Sequence, residues 1–150
     1  WKVAYAPGVI EARGRRNGQV VLVERRETTG PARKLPLTAD RTEITADGQD
    51  VAMLTVDVLD AHGRPVPTAN RKLAFRISGA GKLIGVGNGD PNCHESDKEP
   101  RRSLFNGLAQ VIVQSTREAG EIKLTATADG LAPATAVVQT QPCATRPFVP

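Results

Sequence analysis

A chain of 150 residues suits one ordinary domain, or one domain with part of a second. Its 39% apolar and 24% charged residues suffice for a packed core and exclude disorder throughout. With 3% aromatics and a net charge of +4 spread along the chain rather than gathered in a stripe, neither a stacking surface for sugars nor a nucleic-acid partner is expected.

No apolar run approaches the roughly 18–20 residues of a membrane helix, so no span is expected. The start lacks the basic, apolar, small-residue order of a signal peptide. The chain opens on Trp1 and reads as a piece of a larger, processed protein.

In chain order, Val3-Ala4-Tyr5 is a short apolar stretch closed by the turn dipeptide Pro7-Gly8. Val9-Ile10-Glu11-Ala12-Arg13 follows. Asn17-Gly18 predicts a hairpin, because both turn positions need positive φ, and Gln19-Val20-Val21-Leu22-Val23-Glu24 returns. Three strands are too few to bury a core alone. Residues 1–31 are therefore expected to be the closing strands of a domain whose beginning lies upstream.

A second unit is expected over 32–140. Leu35-Pro36-Leu37-Thr38-Ala39 is an edge strand, since Pro36 cannot donate to a central ladder. Asp47-Gly48 turns the chain into a strand over 51–59, where Ala52, Leu54, Val56 and Val58 share one face. Asp60-Ala61-His62-Gly63 is a turn with a solvated His62. Leu73, Phe75 and Ile77 form the inward face of the next strand. Gly85, Gly87 and Gly89 then mark crowding and turns at a strand end, before a polar loop over 88–102. After it come a strand over 108–114, an alternating run of Ile122, Leu124, Ala126 and Ala128, and a last strand with Ala134, Ala136 and Val138. No segment keeps a helical period. The expected fold is all-β, an immunoglobulin-like Greek-key β-sandwich of about seven strands, with a Pro-rich tail over 141–150.

The long loop holds most of the reactive side chains. Gly85-Val86-Gly87-Asn88-Gly89-Asp90-Pro91 is not a nucleotide loop, because no helix follows to receive a phosphate. Asp90, Asn92, Glu95, Asp97 and Glu99 supply oxygens for a divalent cation but lack the glycine of a calcium loop. A glycosidase pair needs two carboxylates held rigidly across a sugar-sized cleft, which an acidic loop supports poorly. Ser78 lacks a nucleophile elbow. No catalytic residue, metal or cofactor is expected here. Cys93 and Cys143 could form one bridge between loop and tail, or remain two free thiols.

The run Gly81-Lys82-Leu83-Ile84-Gly85-Val86-Gly87-Asn88-Gly89-Asp90-Pro91, then His94-Glu95, Arg102 and Phe105-Asn106-Gly107-Leu108-Ala109-Gln110, resembles the C-terminal region of bacterial family 2 glycoside hydrolases, the multidomain β-galactosidases and their kin. Trp1-Lys2-Val3-Ala4-Tyr5-Ala6-Pro7-Gly8 resembles the end of the immunoglobulin-like domain before the last, which implies that residues 1–31 close such a domain. Leu37-Thr38-Ala39-Asp40 with Ala46-Asp47-Gly48-Gln49-Asp50 resembles the start of the last, invasin-like module. The resemblance implies that the catalytic glutamates lie upstream in a barrel absent here. It also implies a periplasmic or secreted parent, which would suit a Cys93–Cys143 bridge.

The expected function is a non-catalytic accessory domain. Its partners would be the parent's other domains, touched through Asn88, Asp90, His94, Glu95, Arg101 and Arg102. A carbohydrate-binding module that grips polysaccharide is the alternative, opposed by having only Phe105 and Phe148 left for a platform; an invasin-like adhesion module is the second.

Overall fold

The computed structural model describes residues 2–144. The chain divides into two compact units, Trp1–Gly30 and Pro31–Pro150. All eleven elements among the described residues are strands.

The first unit is a hairpin of β1 (Val9–Arg16) and β2 (Gln19–Glu27), joined by Asn17-Gly18 at φ 50° and 81° as the dipeptide predicts. The third strand expected at Val3-Ala4-Tyr5 is not formed. The pairing ends where Thr28 N–H donates to the Gly8 carbonyl (2.8 Å) and Gly8 N–H to Thr28 Oγ1 (3.0 Å); Pro7 then has no N–H with which to continue. Nearly every hairpin side chain stays exposed. Ile10, Val21 and Leu22 are each more than half exposed.

The second unit contains β3 (Leu37–Ala39), β4 (Glu43–Thr45), β5 (Val51–Asp57), β6 (Lys72–Gly79), β7 (Gly81–Gly87), β8 (Arg101–Ser103), β9 (Leu108–Ser115), β10 (Gly120–Ala128) and β11 (Ala134–Gln141). They form a four-stranded sheet, β3-β5-β9-β7, and a five-stranded sheet, β4-β11-β10-β6-β8. The all-β immunoglobulin-like sandwich is therefore present, with nine short strands rather than about seven. The first edge strand splits between the sheets: β3 pairs antiparallel with β5, and β4 pairs parallel with β11. The ninth strand is β8, which forms inside the stretch read from sequence as loop.

Alternation decides the packing, as the period of two requires. Ala52, Leu54 and Val56 face inward beside Val113, Val111 and Ala109 of β9. From the other sheet come Leu73 and Phe75 of β6 and Ile122, Leu124 and Ala126 of β10. Leu54, Leu73, Ile122 and Leu124 are at most 1% exposed, and full burial of such a side chain contributes about 1.5–3 kcal/mol. Pro36 sits just before β3 at the sheet edge, and its carbonyl accepts from Asp57 N–H (3.1 Å).

The alternate glycines at the end of β7 are not crowded. A Cβ on Gly87 or Gly89 would meet nothing within 4 Å, and one on Gly85 would make only ordinary contact, at 3.8 Å. Gly85 lies at a register shift against β9, and only Gly89 holds a positive φ (75°). β7 is the edge of the four-stranded sheet and β8 the edge of the five-stranded one, so residues 88–100 must cross from one sheet to the other. That crossing positions the site.

Candidate functional site

Arg102 is the centre of the crossing. Its backbone pairs with Leu73, which turns its side chain inward, and it is 5% exposed. Its Nη2 donates to the Val86 carbonyl (2.8 Å), and its Nη1 to the Glu95 carbonyl (3.2 Å) and Cys93 Sγ (3.0 Å). One guanidinium thus ties the last inward residue of β7 to the middle of the loop. Its Nε is buried without a protein partner.

Glu95 makes the reciprocal tie. Its carboxylate accepts from Ser103 N–H (2.6 Å) and Ser103 Oγ (2.8 Å), and Lys72 Nζ lies 3.3 Å away. Asn88 Nδ2 donates to the Ser103 carbonyl (2.9 Å), while Asn88 Oδ1 accepts from Asp90 N–H (3.0 Å). Val86 N–H donates to the Asp97 carbonyl (2.9 Å), and Phe75 N–H to the Pro100 carbonyl (2.8 Å). The polar run is an ordered strap rather than a free loop.

The two donors of Ser103, with Lys72 beside them, hold the Glu95 carboxyl below its ordinary range. A depressed folded pKa means stability that is present above the unfolded value, about 4.3, and lost as pH falls through the folded one. Glu95→Gln, which cannot titrate, should therefore lose less stability than the native chain between pH 6 and pH 3. Urea midpoints at the two pH values check this; equal losses would refute it. The Cys93 thiol is also lowered, chiefly by the Glu95 backbone N–H and next by Arg102 and Asn88.

The sequence-predicted residues thus fall into groups. Asn88, Glu95, Arg102 and Cys93 are brought together and held by one another or by neighbouring strands. Asp90 is half-buried, its Oδ1 accepting from Asn92 N–H (2.9 Å), and His94 is exposed. Arg101 is exposed, pairs with Glu99, and faces away from the core because its register partner is the outward Ala74. Cys93 and Cys143 are both free thiols, so the bridge is not formed: Cys93 is occupied at Arg102, and Cys143 is exposed beyond β11. Trp1, Phe148 and residues 145–150 of the expected tail lie outside the described residues.

Sequence reasoning missed Lys72 and Ser103, whose part in the strap comes from pairing across β6 and β8. It also missed Asp60, fully buried in the turn that carries the solvated His62. Its Oδ1 accepts from the N–H groups of His62 (2.8 Å) and Arg64 (3.0 Å), and Arg64 Nε donates to its Oδ2 (2.7 Å). His62 itself is exposed. Among the described residues no three His, Cys, Asp or Glu are grouped to hold a metal ion. The carboxylates at the strap and the turn are engaged by amides, a hydroxyl, a lysine and an arginine, an arrangement that orders backbone.

Comparison with known proteins gives a consistent picture. The profile described as glycoside hydrolase family 2 C-terminal domain 5 matches residues 35–137. The β-galactosidase BoGH2A of Bacteroides ovatus is 38% identical over 131 residues, 87% of this chain and 15% of that protein. A β-glucuronidase of Formosa agariphila is 35% identical over 135 residues, 85% of this chain and 13% of the relative. A crystal structure of a glycosyl hydrolase family 2 member from Bacteroides cellulosilyticus superposes with a TM-score of 0.88 at 34% identity, covering 92% of this chain and 19% of the other. The chain spans 12–15% of the length of the curated relatives it matches.

Proposed function

This chain belongs to the glycoside hydrolase family 2 C-terminal domain 5 family, and we propose that residues 32–140 are a non-catalytic accessory sandwich supporting the catalytic part of a longer β-galactosidase-like enzyme. The observation that carries this reading is the engagement of its acids. Glu95 is held by Ser103 and Lys72, and Asp60 by Arg64 and two backbone amides, so neither is a carboxylate set free beside a sugar-sized cleft. The small share of each relative's length that this chain matches also supports it.

Residues 1–31, in the same proposal, are the closing strands of the preceding immunoglobulin-like domain. In support, the hairpin presents apolar side chains on both faces, with Ile10 and Leu22 on one and Val9 and Val23 on the other. A two-stranded ribbon of this kind needs further strands to bury them. Contact with the parent's other domains falls to Asp90 and His94, on the outer part of the strap, because Arg102, Glu95 and Asn88 are engaged within it. A periplasmic or secreted location of the parent enzyme belongs to the same proposal.

The test is deletion of this segment from the full-length protein. Hydrolysis of an aryl β-galactoside should persist with a lower thermal-inactivation midpoint, and the 150-residue chain alone should show no turnover. Turnover by the isolated chain, or a deletion that leaves inactivation and kcat/KM unchanged, would overturn the reading.

A further inference from the structure

The outer face of the five-stranded sheet is exposed and cationic. On β6 the outward side chains are Lys72, Ala74, Arg76 and Ser78; on β10 they are Glu121, Lys123, Thr125 and Thr127; β8 adds Arg101. The registers Ala74↔Arg101, Arg76↔Thr125 and Ser78↔Lys123 set Arg101, Arg76 and Lys123 on one diagonal across three strands, with neighbours about 7–8 Å apart. Lys72 and Arg101 each have an acidic neighbour, Glu95 and Glu99. Among the described residues Arg76 and Lys123 have no ion-pair partner. The other acid on this side of β10, Glu121, accepts from Gln139 Nε2 (3.0 Å).

Thr125 stands opposite Arg76 in the ladder, and Ser78 opposite Lys123. Thr125 Oγ1 lies 3.1 Å from Thr135 Oγ1, and Thr127 Oγ1 donates to the Ala74 carbonyl (3.2 Å). At the Arg101 end of the diagonal a shallow depression of about 370 Å³ is lined by Lys72, Ala74, Arg101, Thr127 and Asp129; Arg76 and Lys123 lie outside it.

From this charge complementarity we infer that the outer face of β8, β6 and β10 binds a carboxylate-bearing, uronate-type polysaccharide, with Arg76 and Lys123 as its principal contacts. The planar guanidinium fork of Arg76 matches a carboxylate in a bidentate contact, and Lys123 supplies a point charge one diagonal step away. The threonine hydroxyls suit sugar hydroxyls. No aromatic side chain occupies an outward position on these strands, which disfavours neutral glycans held by stacking and single-stranded nucleic acid held through its bases. The inference goes beyond the accessory reading and does not depend on it, since a support domain and a glycan-binding face can coexist in one sandwich.

Affinity electrophoresis of the 150-residue chain through gels containing polygalacturonate, dextran or single-stranded DNA tests it. Polygalacturonate should retard the native chain, and dextran should not. Arg76→Gln with Lys123→Gln should weaken binding about tenfold, as expected for two exposed ionic contacts. Lys82→Gln, on the other sheet, should change binding less than twofold, which separates a site from net charge. An unchanged thermal midpoint verifies that each variant is folded, and the single variants Arg76→Gln and Lys123→Gln stand in if the double variant is not. Absence of retardation, equal loss in Lys82→Gln, or retardation by single-stranded DNA at least as strong would each overturn the inference. None of these results bears on whether deletion weakens the parent enzyme.

Discussion

Replacing Arg102 with alanine should lower the stability of the sandwich by about 3 kcal/mol, the range for removing one member of a buried charged hydrogen-bond network. The change strands the Val86 and Glu95 carbonyls that now accept from the guanidinium, and leaves Cys93 Sγ without its cationic neighbour. It also empties space beneath residues 88–100. Arg102→Lys should rescue only part of the loss, because a single ammonium cannot replace a fork that reaches three acceptors at fixed angles. The signature is local as well as global. The urea midpoint should fall with an unchanged m-value, and protease should cut within 88–100 before the strands yield. A loss below 1 kcal/mol, or no new cleavage there, would show that the strap is held by other contacts.

Gly79→Ala is expected to cost at least as much, about 3 kcal/mol or more, by a different mechanism. Gly79 ends β6 at φ 92°, where an L side chain is strained, and an added Cβ would lie 1.9 Å from the Glu121 carbonyl oxygen. That oxygen belongs to the neighbouring strand, so relief requires backbone movement at the β6–β10 pairing. Gly87→Ala is the matched control: its Cβ would meet nothing within 4 Å, and its effect should stay within about 1 kcal/mol. Thermal and urea unfolding of the two variants side by side would decide the matter. Comparable losses would show that the glycines of β7 carry a constraint absent from their surroundings.

The contrast between these glycines shows what was legible in the amino-acid order. Gly85, Gly87 and Gly89 stand out by their alternation, yet their surroundings are open. Gly79 stands among ordinary neighbours, and its necessity comes from Glu121, 42 residues on, which pairing brings against it. The strap behaves similarly. Asn88, Cys93, Glu95 and Arg102 could all be singled out as polar residues in an unusually long turn-rich stretch. Read alone, they look like charges offered to a partner. Strand pairing gives them internal partners instead, with Arg102 set inward by its register with Leu73. The unpaired cations Arg76 and Lys123 were hidden for the same reason: they are 47 residues apart and become diagonal neighbours only across a ladder.

Legible in the amino-acid order were the class of fold, the Asn17-Gly18 hairpin, the inward faces of β5, β6 and β10, and the family. These rest on short-range information: alternation with a period of two, turn residues with particular φ preferences, and a contiguous motif. Strand pairing and sheet closure set the rest: the first edge strand divides between two sheets, β8 forms, Cys93 and Cys143 are free thiols, and Arg102 is a buried tie. Those features depend on which backbone carbonyls and strand edges meet. Every residue carries the same carbonyl, so nothing in the order of side chains marks Val86 and Glu95 as the ones Arg102 will reach until the two sheets have closed around them.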